Sequence, residues 1–83
     1  MTRRIVRSPK RAVRDEDSAG DLLRRARIRG RLTQHELADR LGCSQQAIAQ
    51  AERSGSNPTV GFMRRWAAAC GARLVVRIRP RSR

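Results

Sequence analysis

The sequence offers almost nothing from which a metal site, a disulfide framework or a membrane span could be built. It holds one histidine, two cysteines, one tryptophan, one phenylalanine and no tyrosine among its 83 residues. Cys43 and Cys70 make no framework in a chain without a secretion signal, and they are too few and too separate for a structural zinc site. "HELAD", His35 to Asp39, approaches the H-E-x-x-H spacing of zinc hydrolases, but its last position is Asp39 and there is no second histidine. No segment approaches the ~18 apolar residues of a membrane span. The basic N-terminus has no apolar run behind it, so it does not read as a signal peptide. No Ser/His/Asp set and no phosphate-cradling glycine loop can be found. No catalysis, cofactor or metal is therefore expected, and the chain is expected in the cytoplasm with both thiols reduced.

Positive charge is what the sequence has instead. Lys and Arg number 20 against 7 acidic residues, for a formal charge of +13. Residues 1–14 carry six positive charges and no negative one, and Asp15, Glu16, Asp17 and Asp21 then form an acidic patch. The middle, 22–71, nets +6, and the last twelve residues add five arginines. Such a balance favours polyanionic partners, because each neutralised phosphate releases condensed counterions. All but Lys10 of the basic residues are Arg. Arg is the better fork for phosphate and base edges, although a compositional bias of the source genome gives the same count.

Local signals divide the chain into a basic arm (1–20), a helical domain (21–71) and a C-terminal strand with a basic tail (72–83). The arm contains Ser8-Pro9 and shows no helical periodicity, with "RRIV" as a possible brief strand. Two readings of it stand side by side: it reaches into a minor groove, or it is solvated charge. A first helix starts at Asp21, a good N-cap, and stops at Gly30. Thr33 followed by Glu36 is a capping box, Leu37, Ala38 and Leu41 share a face, and Gly42 suits the left-handed exit. Ser44 caps a third helix expected to run to about Arg53. "SGSNP" is a loop. Thr59 caps a fourth helix that turns Val60, Met63, Trp66, Ala67 and Cys70 inward and closes at Gly71. Trp66 on that face reads as core, while Phe62 beside it suits a dimer interface.

The third helix poses the functional question, because its outer surface carries three neutral amides in so basic a chain. At about 100° per residue, Gln45, Ala49, Arg53, Gln46 and Gln50 fall on one arc, and Ala47, Ile48, Ala51 and Glu52 on the other. The helix buries alanines and one isoleucine, and presents three carboxamides to solvent. Gln donates and accepts at once, which suits the adenine edge in a major groove, whereas phosphate contacts carry no sequence information directly.

Residues 34–53 resemble the helix-turn-helix of the Cro/repressor (Xre-type) DNA-binding family. Ala38 stands at its small-residue position, Gly42 at its turn glycine and Ile48 at its apolar lock. "TQ.EL" followed by "SQQAI.Q.E" is especially similar to lambdoid phage repressors, and the likeness extends over about 22–71. The resemblance implies that Gln45, Gln46 and Gln50 read base edges. It also implies that Gln34 and Ser44 hold phosphates near positive helix ends, with Arg53, Ser56 and Asn57 as further phosphate contacts. Arg27 and Glu52 take positions that form a partly buried ion pair in such repressors.

The expected fold is mainly α: four repressor-like helices and one C-terminal β-strand. In "ARLVVRIRP", Leu74, Val76 and Ile78 point one way and Arg73, Val75, Arg77 and Arg79 the other, with Pro80 as the end. A lone strand needs a partner, and a second copy of the chain is the preferred one. A helix-turn-helix followed by a strand is also similar to antitoxins of toxin–antitoxin pairs. The first functional expectation is thus a homodimeric, sequence-specific repressor on double-stranded DNA, reading a near-palindromic operator. The second is an antitoxin-type adaptor that neutralises a partner toxin protein and autoregulates its operon. A nonspecific DNA coater is the third, and the neutral reading face argues against it.

Overall fold

The computed structural model describes residues 18–81. The basic arm up to residue 17, with its "RRIV" stretch, lies outside the described residues, as do Ser82 and Arg83. Four helices follow in order: α1 (Ala19–Arg29), α2 (Gln34–Leu41), α3 (Gln45–Ala51) and α4 (Val60–Ala69).

Each start is written in local chemistry. Ser18, Thr33, Ser44 and Thr59 all have extended backbone, and each accepts a hydrogen bond from the N–H three residues on. At Ser18 and Thr33 the box is complete, because Asp21 and Glu36 accept in return from the cap's own N–H. α1 therefore begins two residues before the expected Asp21, whose carboxylate completes the box instead of opening the helix. The ends differ more. Gly42 leaves α2 with φ 70°, as its left-handed role requires. Gly30, in contrast, is right-handed at φ −78°, and Arg31 takes the positive φ of 61°. What Gly30 supplies is closeness: a Cβ there would lie 2.8 Å from the Cys70 carbonyl oxygen.

α3 stops at Ala51, short of the expected Arg53, with Glu52 as its cap. Two contacts explain the early end. The backbone of Gly20 presses against Glu52 and Arg53, and the Ser56 hydroxyl donates to the Ala51 carbonyl at 2.7 Å. The last turn of the helix is thereby satisfied from outside it.

The core collects Leu23 from α1, Leu32 from the following loop, Leu37 and Ala38 from α2, Ile48 from α3, and Trp66 and Cys70 from the fourth helix. Leu37, Ile48 and Trp66 are fully enclosed. Burial stabilises by about 1.5–3 kcal/mol for a side chain such as Leu37 or Ile48. Trp66 meets its one polar obligation by donating from Nε1 to the Leu23 carbonyl at 2.9 Å, which ties α4 to α1. Ala38, 3% exposed, provides the thin spot where α3 comes close to α2. Val60 departs from expectation: it is 45% exposed, although Phe62 and Met63 in the same turn pack against the core. Arg40 reaches from α2 to the Ala69 carbonyl at 2.9 Å and holds the end of α4.

No strand forms among the described residues, and 72–81, where a C-terminal strand is expected, is irregular in the single chain. A strand is defined by its partner, and the described residues offer none to this segment. Leu74 is half-buried, while Val75, Val76 and Ile78 are 70%, 57% and 89% exposed.

Candidate nucleic-acid interface

α2 and α3 meet through Gly42 and Cys43, and α3 is held by its apolar side. Ile48 is fully buried, whereas Gln45, Gln46 and Gln50 are all exposed. Ala47, Ala49 and Ala51 lie between these extremes, half-buried. Of the face drawn from helical periodicity, the three glutamines reach solvent, Ala49 is half-buried and Arg53 lies past the end of α3. Ser44, also exposed, accepts from the Ala47 N–H at 3.1 Å; a hydroxyl so used keeps its own proton to donate outward.

Behind this face lies the ion pair expected between Arg27 and Glu52. Arg27 Nε donates to Glu52 Oε2 at 2.5 Å and Nη2 to Oε1 at 3.1 Å, a two-pronged contact. The two side chains are only 13% and 6% exposed. The hydrogen bond to Glu52 holds the guanidinium pKa above its ordinary value, against the opposing effect of burial. Arg27 Nη1 also donates to the Leu32 carbonyl at 2.9 Å, so one side chain joins α1, the α1–α2 loop and the end of α3.

Gln34, expected at a phosphate, has a second attachment that sequence reasoning missed. Its Nε2 donates to Glu52 Oε1 at 3.2 Å, making it the third member of the partly buried pair. Position did hold a signal: Gln34 opens α2 directly after the capping Thr33. Which residue its side chain would meet depended on the close α2–α3 packing, which no local pattern encodes.

Arg53 and Asn57 are exposed on the loop after α3, and Ser56 is half-buried. The loop borders an open groove of about 650 Å³ whose walls include Ala47, Gln50, Arg53, Asn57, Pro58 and Phe62. Phe62 is half-buried, edge-on to Trp66 with ring centres 5.7 Å apart, and the Arg65 guanidinium lies 5.6 Å from its centre.

Among the described residues, no group of three His, Cys, Asp or Glu side chains stands together as a metal site would need. His35 and Asp39 sit 3.7 Å apart on the exposed side of α2. Glu36 is engaged by the Thr33 N–H, and this bond holds its carboxyl below the usual range. Cys43 and Cys70 are free thiols, and burial pushes the pKa of Cys70 up. Among the described residues no helix is long and apolar enough to cross a membrane.

Residues 23–76 match the family model described as Helix-turn-helix. The match takes in most of α1 and all of α2, α3 and α4. Neither a curated protein nor a solved structure matches the chain.

Proposed function

The chain belongs to the Cro/repressor (Xre-type) helix-turn-helix family of DNA-binding transcription regulators, and we propose that it acts as a dimeric repressor reading a near-palindromic operator through α3. One observation carries the reading: Ile48 anchors a helix whose three glutamines all face solvent. Set in a major groove, Gln45, Gln46 and Gln50 offer paired donors and acceptors to base edges, the pattern that distinguishes adenine. Gln34, Ser44, Arg53 and Asn57 border this face and take phosphates. Ser56 spends its hydroxyl proton on Ala51, so its part is to hold the loop that carries Arg53 and Asn57. The net charge of +13 supplies affinity for any duplex, and the neutral ridge supplies choice among duplexes.

The C-terminal segment supports dimerisation. Leu74, Val76 and Ile78 alternate with Arg73, Val75, Arg77 and Arg79, and Val76 and Ile78 stand exposed. In this reading the segment becomes a strand by pairing with its twin. Two α3 helices then fall one turn of DNA apart, about 34–36 Å. The experiment is selection from random duplexes by the full chain at ~150 mM salt, where nonspecific phosphate binding is weakened. A palindrome enriched by folded protein supports the reading, and a pool without a motif defeats it.

The same exposed residues favour a second reading, an antitoxin-type adaptor whose C-terminal segment pairs with a toxin. A neighbouring gene product that copurifies through residues 72–81, and no longer does when they are removed, marks that outcome.

A further inference from the structure

Gln34 is bound in a way that a simple phosphate contact does not need. Its amide is tied to Glu52, which Arg27 holds in turn through both carboxylate oxygens. A carboxylate only accepts hydrogen bonds, so the NH2 end of Gln34 must face it and the amide cannot flip. One N–H is used inward. Among the described residues the second N–H and the amide oxygen meet no partner, and they are left to the half-exposed surface at the first turn of α2.

Glu52 is itself fixed by backbone and by side chain. It caps α3, with its backbone N–H donating to the Ile48 carbonyl at 3.1 Å. It receives the Arg27 fork, and Arg27 is moored to Leu32. A continuous chain of hydrogen bonds thus runs from the α1–α2 loop, through the end of α3, to the opening residue of α2. We infer that Glu52 is a positioning residue for DNA binding: it pre-orders the Gln34 carboxamide so that its free N–H meets a phosphate while α3 lies in the groove. This rests on the reading that the α2–α3 face meets the duplex. A glutamine left free loses rotamer freedom on binding, and one already clamped has less to lose.

The test is a binding cycle on the full chain with its selected duplex at ~150 mM salt. Arg27→Met/Glu52→Leu removes both charges together and keeps an apolar pair in their place, the exchange that buried ion pairs tolerate best. The double variant is expected to bind about two- to tenfold more weakly, with the salt dependence unchanged. Gln34→Ala is expected to weaken the parent about tenfold and the double variant by about threefold or less, because the clamp is already gone. A double variant that binds like the parent, or equal losses from Gln34→Ala in both backgrounds, overturns the inference and leaves the reading of α3 standing. A parent that binds no duplex overturns both. Should the double variant not fold, side-chain amide relaxation of the unaltered protein decides. An ordered Gln34 amide beside mobile Gln45, Gln46 and Gln50 is expected; equal mobility in all four overturns the inference.

Discussion

Gly20 of α1 lies against the backbone of Arg53, just past the end of α3. A Cβ at Gly20 would sit 2.4 Å from the Arg53 carbonyl oxygen and 2.8 Å from the Glu52 carbonyl carbon. Helix propensity alone favours Ala there by about 0.8–1.0 kcal/mol. The clash falls on backbone that cannot rotate away, and overpacking of this kind costs about 1–3 kcal/mol or more. Gly20→Ala is therefore expected to destabilise, lowering the melting temperature by several degrees. An unchanged or raised melting temperature would mean that this approach is loose in solution.

The Arg27–Glu52 pair gives an asymmetric expectation. Glu52→Ala leaves a partly buried guanidinium without its carboxylate and is expected to cost about 1–3 kcal/mol. Arg27→Met/Glu52→Leu removes both charges and is expected to regain most of that loss. Urea denaturation of the parent and both variants measures the difference. Equal destabilisation by the two would contradict the account of a partly buried, mutually dependent pair.

Glu36 sets a pH dependence whose sign follows from its hydrogen bond. Its folded pKa lies below the ordinary 4.5 because the Thr33 N–H favours the carboxylate. The stabilisation is thus present above about 4.5 and lost as pH falls through the lower folded value. Glu36→Gln keeps an acceptor for Thr33 and does not titrate. Thermal melts between pH 6 and pH 3 are expected to fall less steeply in this variant. Parallel curves would remove Glu36 from the acid limb.

How far the fold could be read from sequence depended on how local its causes were. Thr33, Glu36 and Gly42 form a box and an exit within ten residues, and α2 stands where they place it. Ser18 escaped notice because Asp21 is also a good cap, and only the reciprocal bond between them decides which residue opens the helix. The end of α3 was misjudged because Gly20 and Ser56 close it through contacts outside the helix. In the site, helical spacing alone set the exposed row of Gln45, Gln46 and Gln50. The bond from Gln34 to Glu52 spans eighteen positions and exists only once α2 and α3 are packed.

The C-terminal segment carries the expectation about assembly. Val76→Lys/Ile78→Lys places charges where the proposed twin strands would meet, while leaving the helical core untouched. Sedimentation at micromolar concentration is expected to give a dimer for the parent and a monomer for the variant, with helical content unchanged. A parent that sediments as a monomer, or a variant that remains a dimer, would contradict pairing through residues 74–78.

The central claim is that α3 chooses among DNA sequences, and Gln46 tests it most directly. Parent and Gln46→Ala would be titrated against the selected operator and against a set of its single-base-pair variants at one fixed salt concentration. The expected loss on the operator is about 1–3 kcal/mol. It should shrink towards zero on variants altered at one particular base pair, which the glutamine reads. A loss of the same size on every duplex, or no loss on any, would contradict the claim.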